Sequence, residues 1–235
     1  MILPFIRVLP VVAIERKNSD MKIAAYATIK LNSQRVPHKN LQPVGKKPLC
    51  YHILDTALQV DAIDDVYVYC SDSAVKNYIP EKAKFIQREA WLDGDEIRAK
   101  DTYTAFINDV DADIYIAMCT TSPFTKKETL EHALNKVLYE GYDSAFTAKR
   151  EQTFAWYKGE PINYNLMEVP RTQNIEPVFI ETSAFFIFKK ELWTQFGRRI
   201  GFRPYIQEVG LIEAVDIDTM EDLQFAQMIA DYVNR

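Results

Sequence analysis

The sequence lacks the cysteine and histidine patterns of a disulfide framework or a zinc site. Its three cysteines, Cys50, Cys70 and Cys119, are far apart and include no CxxC pair, and its three histidines form no pair with metal-ligand spacing. An odd number of widely spaced cysteines is typical of a protein kept in a reducing compartment. We therefore expect a cytoplasmic protein without structural zinc.

Excess positive charge and a long uninterrupted apolar run are also missing. Lys and Arg number 28 against 33 Asp and Glu, a net charge of −5, which disfavours binding to nucleic acid or to an anionic membrane. Residues 1–20 are interrupted by Pro4, Arg7 and Pro10, and they have neither a basic n-region nor a small-residue cleavage site. We expect this extension to be neither a membrane span nor a signal peptide, we assign it no role, and we expect the domain to occupy residues 21–235.

Segments typical of strands and helices alternate along the domain. Four runs rich in β-branched and aromatic residues predict buried strands at 22–29, 65–70, 113–119 and 143–149. An apolar stripe with helical spacing, preceded by a Thr–x–x–Glu capping pattern, predicts a helix over 126–140. With 48% hydrophobic residues in 235, the chain can form one α/β domain. The alternation predicts a mainly parallel central sheet with helices on both faces.

The alternation stops at about residue 150. The segment 151–188 contains three prolines and many aromatic residues, and it shows no helical pattern. We interpret it as a small insertion of extended segments whose exposed apolar side chains pack on a second subunit. We therefore expect a homodimer. The order returns with a strand predicted at 211–217 and a helix over 219–233.

Three polar loops follow three of the predicted strands. The first, "IKLNSQRVPHKNL", holds several cations and an asparagine but no glycine; "SDS" follows the second strand and "TTSPF" the third. Ligands of parallel sheets bind outside the carboxyl ends of the strands, where these loops would meet. The first loop is either a solvated turn or a cradle for a polyanionic nucleotide, and the convergence of three polar loops favours the cradle.

The stretch "VDIDTMEDL" near the C-terminus contains two aspartates two positions apart. If it ends a strand, Asp216 and Asp218 project to one side while Ile217 points into the core. Two carboxylates suit Mg²⁺, which prefers a few carboxylates together with substrate phosphates. Alternatively, Asp218 or Thr219 caps the following helix and Asp222 completes a capping box. The two roles can coexist.

Further candidates lie in the segment after residue 150. Arg171 and Gln173 of "PRTQ" stand in a stretch that is otherwise poor in charge. A guanidinium suits bidentate capture of a carboxylate or phosphate, although a surface arginine after a turn proline is the alternative. The aromatics Phe179, Phe185 and Phe186 are more typical of a core than of a stacking surface for a substrate.

Five motifs together resemble those of the acylneuraminate cytidylyltransferases, also called CMP-sialic acid synthetases. In "ATIKLNSQRVPHKN", Ser33, Arg35, Pro37, Lys39 and Asn40 match the N-terminal signature of that family in order and spacing. "YCSDS", "TSPF", "PRTQNI" and "VDIDTMEDL" resemble its further motifs in the same order. The resemblance covers nearly the whole chain after the first twenty residues.

The resemblance implies a Rossmann-like nucleotidyltransferase that moves CMP from CTP to the anomeric hydroxyl of an acidic nine-carbon sugar, with Mg²⁺ as cofactor and pyrophosphate as product. The nucleotide-binding residues it implies are Lys30, Asn32, Ser33, Arg35, Lys39, Asn40, Ser71, Asp72 and Arg88. The sugar-binding residues it implies are Cys119, Thr121, Ser122, Arg171, Gln173 and Phe185, with Arg171 reaching the partner subunit's site. The metal ligands it implies are Asp216 and Asp218, and the catalytic residues are these two with Lys39 and Arg171.

The chain departs from the family pattern at three places. The family's Arg-Gly-Gly is replaced at 30–32 by Lys-Leu-Asn, its Gln-Pro at 119–120 by Cys-Thr, and its Asn-Gly at 182–183 by Thr-Ser. Because glycines let backbone amides approach a triphosphate, we expect a differently shaped loop in which side-chain cations replace some of that backbone. The other two places lie on the sugar side in the family, which predicts a branch with its own acceptor. Transfer to another acceptor, such as 3-deoxy-manno-octulosonate or a phosphorylated sugar, and a non-catalytic nucleotide-binding role stay open as alternatives.

Overall fold

The computed structural model describes residues 21–233, so the predicted N-terminal extension 1–20 lies outside the described residues. The strands are β1 Ile23–Ile29, β2 Pro43–Val44, β3 Lys47–Pro48, β4 Asp65–Cys70, β5 Lys84–Gln87, β6 Ile114–Met118, β7 Ser144–Glu151, β8 Trp156–Tyr157, β9 Glu160–Pro161, β10 Val178–Lys189 and β11 Pro204–Glu208. The helices are α1 Leu49–Leu58, α2 Ala99–Asp109, α3 Lys127–Tyr139, α4 Lys190–Phe196 and α5 Met220–Val233. Within this range, no helix has both the length and the apolar character needed to cross a membrane.

Seven strands form the central sheet, in the order β11-β7-β10-β6-β1-β4-β5. β10 is antiparallel to its neighbours β6 and β7, whereas the other pairings of this sheet are parallel. Nearly every residue of β1 is buried, because strands flank it on both sides and helices cover both of its faces. The four predicted strands correspond to β1, β4, β6 and β7, and the predicted fold class is confirmed.

Helices cover both faces of the sheet. Ile53 of α1 and Leu134 of α3 belong to the core on one face, and Phe106 of α2 and Trp193 of α4 belong to the core on the other. The second core is largely aromatic, and the rings of Tyr26 and Phe106 stack there with centroids 3.9 Å apart. The aromatic content of the sequence therefore serves mainly the core.

Helix α5 packs against the loop that follows β1. Its Leu223 and Ala226 share a buried cluster with Val36 and Val44 of that region and with Ile217, just before the helix. This packing holds the end of the chain against the first loop of the sheet. It thereby brings together two of the motifs singled out in the sequence.

The structure has a turn where we predicted a strand at 211–217. The N–H of Ala214 donates to the C=O of Gly210 over 2.9 Å, and Leu211 and Ile212 are exposed. The predicted strand was wrong, because periodicity alone does not determine the backbone conformation of a short apolar run. At this end of the chain, β11 occupies the edge of the sheet and pairs with β7.

The predicted insertion at 151–188 is shorter in the structure. Its last part is β10, which lies inside the main sheet with residues 184–188 buried. Between β7 and β10 the chain forms the β8–β9 hairpin and a 3₁₀ turn at 172–174, with large apolar side chains exposed. The predicted extended character holds for this part, but the predicted C-terminal bound was wrong because the aromatics of β10 are core residues.

The predicted capping box of α3 is also corrected. The N-cap is Lys126, which makes no side-chain cap, and Thr125 donates its hydroxyl to the C=O of Ser122 instead. The N–H of Lys126 donates to the carboxylate of Glu213 over 3.0 Å. A buried carboxylate from the 211–217 turn therefore satisfies the helix start, and it fixes that turn against the loop after β6.

Candidate active site

The cationic loop after β1 lies at the carboxyl edge of the sheet, as predicted. Its left-handed backbone is at His38, with φ +50, immediately before the 3₁₀ turn at 39–41. Leu31 and Asn32, which replace glycines of the family signature, have negative φ values. The loop therefore needs no glycine at 31 or 32, because its residue in the left-handed region is His38, several positions later.

Arg35 and Lys39 of this loop converge on Asp218. Arg35 Nη2 lies 2.8 Å from Asp218 Oδ1, and Lys39 Nζ lies 3.2 Å from the same oxygen. Lys39 also donates to the C=O of Ile217 over 2.9 Å. The Lys39 side chain is only 15% exposed, against 66% for Arg35 and 45% for Asp218. Lys39 is therefore the fixed, partly desolvated charge of the group.

Asp216 lies beside this group, immediately before the buried Ile217. Burial raises the pKa of its carboxyl, and the Asp218 carboxylate raises it further, against the opposing effects of a hydrogen bond from Thr121 and of Lys39. Ile217 is fully buried between the two aspartates, and its N–H donates to the C=O of Thr121 over 3.0 Å. The two carboxylates thus flank a buried isoleucine as predicted, although a turn rather than a strand supplies the arrangement.

The capping of α5 falls to Thr219 and Asp222. The N–H of Asp222 donates to Thr219 Oγ1 over 3.2 Å, and Asp222 Oδ2 accepts from the N–H groups of Thr219 and Asp218 over 2.7 and 3.0 Å. This is a capping box with aspartate in its last position. The helix does not use the Asp218 carboxylate, so the predicted cap and a carboxylate pair coexist in this motif.

Asn40 and Thr120 join the first loop to the third. Asn40 is 6% exposed; its Nδ2 donates to the C=O of Lys30, and its Oδ1 accepts from the hydroxyl of Thr120. Both ends of the amide are therefore used between loops, and the side chain positions Lys30 at the edge of the sheet.

Arg88 is buried beneath the second polar loop, "SDS" at 71–73. It donates to the carboxylate of Asp93, which also accepts from the hydroxyl of Ser71. The Nε of Arg88 is buried and has no partner among the described residues. Asp72 is exposed, and its carboxylate accepts a hydrogen bond from the N–H of Ala74, which caps the next 3₁₀ turn. Ser71 and Arg88 therefore belong to one network, while Asp72 has a local structural contact.

Three cavities adjoin around Lys30. One, of about 260 Å³, includes Arg88 and the start of α2. The second, of about 350 Å³, is lined by the loop after β1 from Asn32 to Lys39. The third, of about 240 Å³, lies beside Cys119 and is also lined by Lys39. Polar loops and cations surround this edge of the sheet, an arrangement suited to an anionic ligand.

Some of the residues predicted to bind the sugar line a cavity, and one of them lies in the core. Cys119 and Thr121 line the third cavity, and Ser122 is buried beside them with a hydroxyl that has no partner among the described residues. Phe185 is fully buried in the core on the α1 and α3 face. A sugar contact at Phe185 is thus closed off, and that prediction was wrong.

Arg171 and Gln173 lie apart from the aspartates. Both are exposed at the 3₁₀ turn of 172–174, and the described contacts do not join either side chain to Asp218. The C=O of Gln173 accepts from Gln152, which fixes the turn to the end of β7. Their sugar-side role, and the reach of Arg171 into a partner, stay predictions.

The sequence reasoning missed a second polar group close to Cys119. Arg199 lies with its guanidinium carbon 3.5 Å from the centroid of the Phe186 ring, and it pairs with Glu181 at 3.3 Å. The pKa of the Cys119 thiol is raised to about 11, chiefly by burial; the charges of Asp216 and Glu181 contribute to the rise, and those of Arg199 and Lys39 oppose it. The sequence signal that could have indicated Arg199 is the pair of adjacent arginines in "GRRIG".

Because its pKa is about 11, the Cys119 thiol carries about one thiolate in a thousand at pH 8, and the thiolate is the reactive form. We expect iodoacetamide at pH 8 to modify native Cys119 slowly and to modify it readily after unfolding in urea. Mass spectrometry of peptides at timed intervals measures both rates, with buried Cys50, whose pKa is about 12, as the internal comparison. Rapid native modification at Cys119 alone contradicts this environment.

Metal binding by this site would depend on two carboxylates. Among residues 21–233, no three His, Cys, Asp or Glu side chains are grouped so as to hold a metal ion. Asp216 and Asp218 offer oxygen ligands on the same edge as the cationic loop. Since Mg²⁺ is commonly bound by one or two carboxylates with substrate phosphates and water completing its shell, this pair fits a metal that binds together with a nucleotide.

The chain is similar to proteins of known activity. A family model described as cytidylyltransferase matches residues 30–233. N-acylneuraminate cytidylyltransferase A of Danio rerio is 26% identical over 90% of this chain and 51% of that protein. The N-acylneuraminate cytidylyltransferase of Streptococcus agalactiae is 24% identical over 86% of this chain and 52% of that protein. This chain therefore spans about half the length of these two relatives. The CMP-N,N'-diacetyllegionaminic acid synthase of Legionella pneumophila is 21% identical, with 90% of this chain and 97% of that protein covered.

Solved structures share the fold. A CMP:2-keto-3-deoxy-manno-octonic acid synthetase complexed with CTP matches with a TM-score of 0.69 and 18% identity, over 90% of this chain and 99% of that one. The 4-diphosphocytidyl-2C-methyl-D-erythritol synthase of Anaerococcus prevotii matches with a TM-score of 0.61 and 13% identity, over 92% and 97%. At these identities the likeness concerns the fold alone. With a family model that covers most of its length and the five motifs in order, this chain belongs to the cytidylyltransferase family, as its resemblance to the acylneuraminate cytidylyltransferases predicted.

Proposed function

We propose that the chain transfers CMP from CTP to an acidic sugar of the nonulosonic type and releases pyrophosphate. The observation that carries the proposal is the meeting of Arg35 and Lys39 with Asp218, beside Asp216, at the carboxyl edge of the sheet. Membership of the cytidylyltransferase family supports the reaction class. Relatives named for acylneuraminate and diacetyllegionaminic acid support the acceptor class.

The cations of the first loop would bind the triphosphate. Lys30 pairs with Asp95 at 3.2 Å, and Arg35 and Lys39 pair with Asp218. A polyphosphate offers these donors several charged oxygens, and charge-assisted hydrogen bonds to phosphate are stronger than neutral ones. Exchange of these partners would let side chains neutralise the triphosphate where the family signature uses glycine backbone.

We propose Mg²⁺ as the cofactor, held by Asp216 and Asp218. When bound, the ion would neutralise phosphate charge and help to orient the reacting groups. The burial of Asp216 and its proximity to a second carboxylate, which together raise its pKa, create a pair that an added cation stabilises. The transfer of Arg35 from Asp218 to phosphate would free that carboxylate for the ion.

The transfer itself requires positioning and charge neutralisation more than covalent catalysis. The anomeric oxygen of the sugar bonds to the α-phosphorus while the bond from that phosphorus to the bridging oxygen breaks, and the hydroxyl proton goes to solvent. Lys39 is held by the Ile217 carbonyl and is largely buried, so its charge is fixed where negative charge grows on the departing pyrophosphate. We assign no general base.

A pyrophosphate-release assay with CTP and Mg²⁺ tests the proposal. The acceptors are acidic nine-carbon keto sugars, the eight-carbon 3-deoxy-manno-octulosonate and a phosphorylated hexose, and we expect release with the nine-carbon acids. Release with the octulosonate alone would select the second candidate, which the fold of the octonic acid synthetase favours. CTP binding by calorimetry without release from any acceptor would instead indicate a non-catalytic nucleotide-binding relative.

We further propose a homodimer that covers the segment between β7 and β10. Six of its large apolar side chains are more than half exposed, namely Trp156, Tyr157, Ile162, Leu166, Met167 and Val169. A soluble monomer rarely leaves so many large apolar side chains in water within one short segment. Arg171 lies in the same segment, so we propose that a dimer formed there brings Arg171 towards the partner's site.

We expect light scattering at micromolar concentration to give twice the mass of the chain. Met167→Asp is expected to shift the protein to monomers, since it places a charge in the apolar segment. Met228→Asp, at another exposed methionine on α5, is the matched control and is expected to leave the dimer intact. A clean monomer for the unmodified protein contradicts the proposal.

We place this reaction in the cytosol. All three cysteines are free, and Cys50 and Cys70 are buried. Free thiols in this number are typical of proteins in reducing compartments. CTP as the nucleotide donor fits the same compartment.

A further inference from the structure

We propose that Arg199 and Glu181 act together as the specificity-determining pair of the acceptor pocket, and that they bind an uncharged amide substituent of the acidic sugar. The inference rests on the proposed function and adds a named pair and a chemical group to it. The pair lies outside the loop that carries the nucleotide cations, on the side of the sheet where α2 and α4 pack.

The guanidinium of Arg199 is held in a fixed orientation. It lies over the ring of Phe186, with 3.5 Å between the guanidinium carbon and the ring centroid. Nη1 lies 3.2 Å from the hydroxyl of Tyr103, and Nη2 lies 3.3 Å from Glu181 Oε1. The side chains of Arg199 and Glu181 are 33% and 37% exposed. A stacked arginine with an accessible edge presents its remaining donors in a defined plane.

A rigid turn delivers Arg199 to this position. Phe202 and Arg203 donate their N–H groups to Asp143 Oδ2 over 2.6 and 2.9 Å, and the N–H of Gly201 donates to the hydroxyl of Ser144 over 2.8 Å. A Cβ at Gly201 would lie 2.2 Å from Asp143 Oδ1, so the carboxylate occupies the space that a side chain would need. The turn is therefore anchored at its far end to the start of β7.

The pair lies close to the proposed reaction centre. The N–H of Cys119 donates to the C=O of Ala184 on β10 over 2.9 Å, three residues after Glu181 in the same strand. It lines the third cavity together with Lys39. Cys119 therefore connects the cavity that Lys39 lines to the strand that carries Glu181 and Phe186.

Two buried hydroxyls beside the pair have no hydrogen-bond partner among the described residues. One is Thr182 Oγ1, next to Glu181 in the chain, and the other is the phenol of Tyr26. The Tyr26 ring packs edge-on against Tyr103 with centroids 5.8 Å apart, and Tyr103 is the residue that holds Arg199. Buried hydroxyls without partners are costly, so a ligand group that reached them would gain hydrogen bonds that the protein leaves unmade.

A local irregularity of β10 places Thr182 here. The register with β7 shifts between Glu181 and Phe186, and Ser183 within this interval has φ +58. A left-handed residue other than glycine is uncommon and is seen where surrounding structure maintains it. The bulge exposes Glu181 while it keeps Phe186 in the sheet. One strand therefore supplies both the ring over which Arg199 lies and the carboxylate with which it pairs.

The chemistry of the pair favours an amide over a carboxylate. Arg199 donates and Glu181 accepts, so the pair offers a donor for the C=O and an acceptor for the N–H of a secondary amide. A carboxylate would approach Arg199 beside the like charge of Glu181, which disfavours it, and the cations at Lys30 and Lys39 suit that group better. The pair therefore distinguishes an acylamino sugar acid from one with a hydroxyl at the same carbon.

The test compares two nine-carbon keto acids that differ at one carbon, where one carries an acetamido group and the other a hydroxyl. The variants are Arg199→Met, which keeps the packing on Phe186, and Glu181→Gln, which keeps the size. We expect each to lower kcat/KM for the acetamido acceptor by about 10- to 100-fold, the effect of removing a charged hydrogen-bond partner. For the hydroxyl acceptor we expect a change below about threefold, with unchanged CTP affinity by calorimetry.

Arg203→Met is the control, since it removes an arginine from the same turn that lies over the Tyr142 ring instead; melting temperatures check that all variants fold. An equal loss for both acceptors, or no loss for the acetamido acceptor, overturns the proposal. Pyrophosphate release by the unmodified protein with the octulosonate alone also overturns it but leaves cytidylyl transfer in place. Absence of release with every acceptor rejects the proposed function itself, and the pair's role with it.

Discussion

Asp216→Asn is expected to abolish pyrophosphate release while the melting temperature without ligand stays equal to or rises above that of the unmodified protein. The substitution keeps the shape and removes one charge from the proposed ligands, so we expect turnover to fall by about 100-fold or more. Stability is not expected to fall, because desolvation and the Asp218 carboxylate raise the pKa of Asp216, and loss of its charge removes both unfavourable effects. Activity is measured as Mg²⁺-dependent pyrophosphate release and stability by thermal unfolding.

The matched control is Thr219→Ala, which removes the cap of α5 without removing a carboxylate. We expect it to lower the free energy of unfolding by about 0.5–2 kcal/mol, the usual effect of losing a cap, and to retain turnover below its melting transition. The two variants thus separate the two roles of one short motif. Full activity of Asp216→Asn at ordinary Mg²⁺ concentrations would contradict the assignment of Asp216 as a ligand.

Lys39→Ala is expected to weaken CTP binding by about 1.5–3 kcal/mol, or about 10- to 150-fold, since it removes a partly desolvated charge from the phosphates. Lys39→Met keeps the aliphatic packing and is expected to give a similar loss, which separates charge from packing. The charge-matched control is Lys82→Ala, an exposed lysine just before β5 at the opposite edge of the sheet. Titration calorimetry with CTP measures the affinity of all three.

If Lys39→Ala and Lys82→Ala bind CTP as the unmodified protein does, the loop after β1 is a solvated turn. In that case the contacts of Lys39 with Ile217 and Asp218 have only a structural effect. The substitution Lys39→Ala would then change the free energy of unfolding but not the affinity for CTP.

The elements predicted correctly are those whose signals are local. The four predicted strands that correspond to β1, β4, β6 and β7 are short runs of buried β-branched and aromatic residues. The polar loops follow the carboxyl ends of three of these strands and therefore lie on one edge of the sheet. Asp216 and Asp218 could be predicted as a pair because the residue between them is apolar, and any chain that buries Ile217 exposes its neighbours together. This inference survives the replacement of the predicted strand by a turn.

The elements predicted wrongly depend on contacts that are distant in sequence. Phe185 and Phe186 face opposite sides of β10, and the register shift before Phe186 prevents counting the alternation from the start of the strand. Glu213 supplies the missing cap of α3 from 87 positions away, and no local pattern predicts such a contact. Arg199 gains its position from a turn anchored on Asp143, which the spacing of the two residues does not indicate.

The ion pair between Arg35 and Asp218 joins residues that are 183 positions apart. Arg35 enters the chain near its beginning and Asp218 near its end, so the pair forms only when the last helix packs on the first loop. During synthesis the first loop leaves the ribosome long before the aspartates exist, and its cations stay without that partner until the last helix has docked. Nucleotide affinity in a refolding experiment would therefore report the final step of folding, after the sheet has already gained its spectroscopic signature.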